Sequence, residues 1–148
     1  MTTVINRQIC LSAELESLAK FRDFIETTVS DYPGVDEHVT YDLKLAVDEA
    51  CTNIITHGYA GMNPGSIILN LKVSQDEVLM MITDFGHQFE PSDAPAPDVK
   101  AALDDRPTGG FGLYFIYQAM DGVAYETTEA GNILTLTKDL SGSSPVMQ

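Results

Sequence analysis

An α/β (α+β) sandwich, with helices on one face of a mostly antiparallel sheet, is the fold this sequence predicts, and three observations predict it. Two strand-like runs, 66–73 and 77–83, flank Ser74-Gln75-Asp76 and read as an antiparallel hairpin. A second pair, 123–127 and 132–138, closes around Glu129-Ala130-Gly131 in the same way. Three other stretches carry apolar residues at helical spacing, so the chain alternates helices with hairpins, and a layer of helices over one sheet buries both kinds of apolar face.

Taken in order, residues 3–11 alternate loosely, with Val4, Ile5, Ile9 and Leu11 apolar, and predict a first strand. Ser12 resembles a helix N-cap, and Leu15, Leu18, Ala19, Phe21, Phe24 and Ile25 follow at helical spacing. Asp31-Tyr32-Pro33-Gly34 is a compact turn signal that ends this helix. A second helix begins between Val35 and Glu37 and runs to about His57, where Gly58 and Gly61 stop it and Asn63-Pro64-Gly65 turns the chain. After the first hairpin comes a long loop, 84–110, with four prolines (Pro91, Pro95, Pro97, Pro107) and a short helix expected over 99–103. A loop of that length in a compact domain is usually functional or disordered. Phe111 to Met120 then reads as a helix starting on glycines, and 141–148 as a frayed tail. No repeat or second domain is evident, and 148 residues suit a single domain spanning 1–148.

Composition narrows the function classes. The net charge is −14, from 8 Lys+Arg against 22 Asp+Glu, so the surface repels a phosphate backbone and direct nucleic-acid binding is not expected. A nucleotide is still permitted, because Mg²⁺ and backbone amides hold phosphates without lysines. No basic start with an apolar run marks a signal peptide, and no segment reaches about 18 apolar residues, so a cytoplasmic protein without a membrane anchor is expected. The two cysteines, Cys10 and Cys51, read as reduced, buried thiols rather than a framework or a zinc site.

Three stretches carry chemistry. In the second helix Glu49, Asn53 and His57 step by four, which puts them on one face, about 6 Å apart per step. Such a stripe is often just solvated, but Leu45, Ala46, Val47, Ala50, Cys51, Ile54 and Ile55 make the rest of the helix apolar, which favours a pocket wall. An amide oxygen suits Mg²⁺, and a carboxylate one turn earlier can orient water or take a hydroxyl proton. Thr83-Asp84-Phe85-Gly86-His87-Gln88-Phe89-Glu90 ends a strand; its aspartate can accept from an exocyclic amine and its glycine lets backbone approach a flat base, although Asp-x-Gly is also an ordinary β-turn. Thr108-Gly109-Gly110-Phe111-Gly112-Leu113 opens a helix, where free backbone N–H groups and the positive dipole end favour phosphate. It lacks the lysine of a P-loop and the glycine spacing of a dinucleotide fingerprint, and alone it is also a plain helix-start loop.

The order and spacing of these stretches resemble the N, G1 and G2 boxes of the GHKL (Bergerat-type) ATPase superfamily, which includes gyrase, MutL-type repair proteins and sensor histidine kinases. The likeness is nearest to the small bacterial anti-sigma factors that are serine-protein kinases. It is carried by Glu49-Ala-Cys-Thr-Asn53, His57-Gly-Tyr59, Asp84-Phe-Gly-His-Gln-Phe89, Gly109-Gly-Phe-Gly112-Leu, Met120-Asp121 and Gly131-Asn132, and covers nearly the whole chain.

The resemblance implies ATP and Mg²⁺ as ligands. Asn53 would then be the Mg²⁺ ligand, Glu49 the catalytic base, Asp84 the adenine-specifying carboxylate and Gly86 the glycine beneath the base. Gly110 and Gly112, with Phe111 and Leu113 between and after them, would set backbone amides on the phosphates, and Thr108 and Gly109 would lie at the lid edge. His57 and Tyr59 also match, with capping and packing of the helix end the preferred role for Tyr59. The implied reaction is phosphorylation of a serine on a STAS-domain anti-anti-sigma antagonist, with a sigma factor as a further partner and a homodimer expected. An ATP-binding interaction switch with little or no kinase activity is the alternative. No long helical hairpin with a phosphoacceptor histidine is present, and His38 and His87 are misplaced for that role, which disfavours a self-phosphorylating histidine kinase.

Overall fold

The computed structural model describes residues 3–87 and 111–140. Its elements are β1 (Ile5–Ser12), α1 (Ser17–Val29), α2 (Glu37–Asn53) continued by a π turn (Ile54–Gly58), β2 (Ser66–Val73), β3 (Glu77–Asp84), α3 (Phe111–Ala119), β4 (Gly122–Thr128) and β5 (Gly131–Asp139). The strands form one antiparallel sheet in the order β1-β2-β3-β5-β4 with the helices on one face, so the expected sandwich is the fold found. The expected helix at 99–103, most of the 84–110 loop and the expected tail at 141–148 lie outside the described residues.

Alternation decides which side of each strand is covered. Ile67, Leu69, Leu71 and Val73 of β2, Val78, Met80 and Ile82 of β3, and Leu134 and Leu136 of β5 are buried under Phe21, Ile25 and Val29 of α1 and Leu43, Ala46, Val47, Ala50 and Cys51 of α2. The register sets these side chains in rows across the sheet: Leu69 with Ile82 and Leu134, then Leu71 with Met80 and Leu136. The two ends of this apolar field are polar. At one end Ile67 is followed by Asp84 and Asn132; at the other Val73 and Val78 are followed by Lys138.

Lys138 is a clip. Its Nζ donates to Asp42 Oδ2 on α2 and to the carbonyl of Ala119 at the end of α3, both at 2.8 Å. Three elements thus meet on one ammonium, which also complements the negative end of the α3 dipole. A comparable tie holds α1, where Arg7 of β1 donates to Thr28 and stacks over the Phe24 ring at 4.9 Å.

Two expectations from sequence need correction. Ser12 is not an N-cap: it ends β1, paired with Ser66, and its carbonyl accepts from Ser17 Oγ at 2.7 Å. The sheet ladder holds Ser12, so α1 starts five residues later with no side-chain cap, whereas α2 has one in Asp36, which accepts from Val39 N at 2.9 Å. Cys10 is exposed rather than buried, because its phase on β1 faces away from the helices. Cys51 is buried as expected; burial pushes its thiol far up, the carboxylates of Asp48 and Asp84 add to this, and it stays an inert thiol. Among the described residues no helix is long and apolar enough to cross a membrane.

Candidate functional site

The site assembles where the end of α2 meets the end of β3. Leu43, Ala46, Val47, Ala50 and Cys51 give α2 its buried apolar face, yet the turn that continues it is not α-helical: Tyr59 N donates to Ile54 O, five residues back, at 3.0 Å. Single π turns of this kind occur often at functional sites. Here the turn delivers Gly58 to the loop after β3, where its carbonyl accepts from His87 N at 2.5 Å. His87 adds a second tie, its Nε2 lying 3.0 Å from the Ala60 carbonyl.

Backbone contact explains the glycine at 86. A Cβ there would lie 2.2 Å from the Gly58 oxygen and 2.6 Å from its carbonyl carbon. Only a glycine lets the two chain segments approach so closely. Gly58 itself faces the carboxylate of Asp84, since a Cβ on it would be 3.8 Å from Asp84 Oδ1.

Asp84 is the last residue of β3 and is 5% exposed. A carboxylate this deep requires donors. Gly86 N supplies one to Oδ1 at 2.9 Å, and Asn132 Nδ2 supplies another to the same oxygen at 3.0 Å. Asp84 and Gly86 are candidates from the sequence, whereas Asn132 carries no assigned role there. The signal was present: Asn132 stands in the inward phase of an otherwise apolar alternation with Leu134 and Leu136.

Tyr59 braces the arrangement from below. Its hydroxyl donates to Ser66 O at 2.8 Å and accepts from Phe85 N at 2.9 Å, joining the starts of β2 and of the Asp84 loop. Its ring leaves no room for a side chain at Gly65, where a Cβ would meet ring atoms at 2.7 Å. This is a packing role, as the sequence reading preferred. Burial, the largest cause, raises the Tyr59 pKa above its ordinary value of 10.0. Tyr59→Phe leaves the Phe85 N–H and the Ser66 carbonyl without this partner and is expected to lower stability by about 1–3 kcal/mol, read from urea unfolding. The raised pKa means that folding favours the neutral phenol. Its contribution is therefore complete below pH 10.0 and disappears as pH climbs through the raised value, an alkaline loss the phenylalanine variant lacks.

Glu49 and Asn53 sit one turn apart on α2, both half-buried, on the part of the helix that leads to Gly58. The adjacent acid Asp48 lies about 100° round the helix and is engaged elsewhere, taking Arg22 Nη1 of α1 at 2.8 and 3.0 Å. His57, third in the stripe, is exposed in the π turn. Phe111, Gly112 and Leu113 form the first turn of α3, which packs against α2, while Thr108, Gly109 and Gly110 lie outside the described residues. Two of the three sequence stretches are thus in contact through Gly58, Asp84, Gly86 and His87; of the third, the described part is the opening of α3, a helix that packs against α2. Among the described residues no three His, Cys, Asp or Glu side chains gather as a metal cluster.

A buried aspartate at the end of a central strand is thus held against a glycine-lined helix end, and the sequence pattern of the histidine kinase-like ATPase domain matches residues 11–138. The chain belongs to that family. Within it the chain is homologous to protein kinases named RsbW and BtrW. It is 35% identical over 97 residues to the serine/threonine-protein kinase BtrW of Bordetella bronchiseptica, covering 66% of this chain and 68% of that protein. To the serine-protein kinase RsbW of Bacillus velezensis it is 33% identical over 106 residues, 68% of this chain and 65% of that one. To RsbW of Halalkalibacterium halodurans it is 32% identical over 137 residues, 82% and 78% of the two chains.

Proposed function

We propose that this protein is an ATP-dependent serine-protein kinase and anti-sigma-type regulator that phosphorylates a STAS-domain anti-anti-sigma antagonist in a partner-switching pathway. The observation that carries the reading is the buried acceptor Asp84, fixed by Gly86 and Asn132 beside the helix that bears Glu49 and Asn53. The serine-kinase names of its relatives support the same reaction.

The donor set fits a nucleotide with Mg²⁺. Asn53 offers a hard amide oxygen, and Mg²⁺ commonly takes only one or two protein oxygens and fills its sphere from phosphate and water. Bound with the triphosphate, the metal would offset the charge that develops in transfer. Asp84 would accept from the 6-amino group of adenine, with Gly86 the glycine beneath the base. The amides of Gly110 and Gly112 and of Phe111 and Leu113 at the start of α3 would hold phosphate oxygens, with Thr108 and Gly109 beside them as further nucleotide-binding residues. Glu49 takes the proton from the attacking serine hydroxyl. The serine oxygen then bonds to the γ-phosphorus as the bond to the β–γ bridging oxygen breaks, and ADP leaves. The antagonist, once phosphorylated, dissociates, and a sigma factor is the partner recaptured.

Calorimetric titration of ATP, with Mg²⁺ and then with EDTA, tests the pocket. Wild type is expected to bind with Mg²⁺ and to lose at least about tenfold in affinity without it, and Asn53→Ala to be insensitive to the metal. An Asn53→Ala protein that binds Mg·ATP as tightly as wild type removes the metal assignment. No binding by wild type at millimolar ATP removes the kinase reading with it.

A further inference from the structure

Asp84 and Asn132 are register partners on β3 and β5, on the covered face of the sheet, 5% and 3% exposed. Asn132 turns its amide nitrogen toward three acceptors: Asp84 Oδ1 at 3.0 Å, the Gly86 carbonyl at 3.0 Å and the His87 carbonyl at 3.5 Å. Since all three are acceptors, the amide orientation follows from chemistry; reversed, its oxygen would face three other oxygens. The approach is close. Gly131, just before Asn132, has φ +136°, and a Cβ on it would be 2.8 Å from the Asp84 carbonyl. Gly131-Asn132 therefore acts as a unit, the glycine admitting β5 to the Asp84 backbone and the asparagine gripping the carboxylate.

The consequence is asymmetry in that carboxylate. Among the described residues the two donors that reach Asp84, Gly86 N and Asn132 Nδ2, both end on Oδ1. That fixes the rotamer and leaves Oδ2 as the oxygen turned to a ligand. A carboxylate oxygen only accepts, so the group it meets must donate. The second amide hydrogen, on the Gly86 carbonyl, fixes the same carboxylate relative to the backbone over which a flat base would lie.

We infer that Asn132 is a specificity-determining positioning residue: by saturating Asp84 Oδ1 and tying the Gly86 carbonyl, it presents Oδ2 to a base with an exocyclic amine and excludes a 6-oxo purine. The inference rests on the nucleotide-pocket reading above. Asn132 acts through Asp84 and need not touch the base. A leucine at 132 keeps the side-chain size but donates to neither Asp84 nor the Gly86 carbonyl, so Asp84 is held by Gly86 N alone and presents Oδ2 less firmly.

The experiment compares Mg·ATP, Mg·GTP and the Mg complex of purine riboside 5′-triphosphate, which lacks the 6-amino group, by calorimetry. Wild type is expected to prefer ATP by about tenfold or more over both others. Asn132→Leu is expected to lose most of that factor for ATP while the deamino analogue changes by less than about twofold, a split that a loosened pocket does not produce. Asn132→Val, suited to a strand and also without a donor, makes the same comparison if the leucine variant does not fold. A selective loss for ATP in either variant supports the assignment. Equal losses for ATP and analogue, or an unchanged preference, overturn it while leaving the pocket intact. Wild type that binds none of the three overturns the pocket reading and this inference together.

Discussion

Gly86→Ala is expected to lower stability by about 3 kcal/mol and to reduce ATP affinity by at least about thirtyfold. The added methyl would stand 2.2 Å from the Gly58 oxygen and 2.6 Å from its carbonyl carbon, and both are backbone atoms that cannot rotate away. Neither side can yield easily. Gly58 is held as the acceptor of His87 N, and the Gly86 carbonyl is held by Asn132. Relief requires the loop after β3 to separate from the end of α2, which moves Asp84 from the wall that carries Asn53 and Glu49. Gly61→Ala is the control. Gly61 has φ +75° but nothing within 4 Å of its Cβ position, so alanine there costs about 1–2 kcal/mol of backbone strain and leaves nucleotide affinity unchanged. Urea unfolding and calorimetry on the two variants separate the effects. A Gly86→Ala protein that binds ATP like wild type would show that the contact between the two walls does not shape the pocket.

Glu49→Gln is expected to slow phosphoryl transfer to a serine of a STAS-domain partner by about 10²–10⁴-fold, with ATP affinity changed by less than about threefold. Glutamine preserves size and can still donate or accept a hydrogen bond, but it cannot take a proton from the attacking hydroxyl. The two carboxylates side by side on α2 make the assignment specific. Asp48 is paired with Arg22 of α1 and faces about 100° away, so Asp48→Asn is expected to weaken the α1–α2 contact without slowing transfer comparably. Labelled phosphate from ATP, followed onto the partner, gives the rates. Equal rates for wild type and Glu49→Gln would remove the base role. A wild type that binds Mg·ATP but transfers nothing would establish the alternative, a nucleotide-dependent interaction switch.

Much of this was legible along the chain. Alternation and helical spacing are local patterns, so the runs at 66–73, 77–83 and 132–138 and the helix beginning between Val35 and Glu37 could be read directly to within a residue or so of their ends, and with them the sandwich. The Asp-x-Gly turn and the polar stripe on α2 were legible too, because a buried acceptor and an amide among apolar neighbours stand out chemically. Helix boundaries were less so. Ser12 has the side chain of an N-cap, but strand pairing with Ser66 competes for the same residue and wins.

By itself, then, the sequence determined the order of the strands and main helices and the identity of Glu49, Asn53, Asp84 and Gly86 as candidates. Only the tertiary structure decided which of these meet. The register that sets Asn132 opposite Asp84, the π turn that brings Gly58 to His87, and the lysine that gathers α2, α3 and β5 all join residues 19 to 96 positions apart. The reason is physical: spacing fixes the direction of a side chain within its own element, whereas its partners are set by how separate elements pack, and that depends on the whole core.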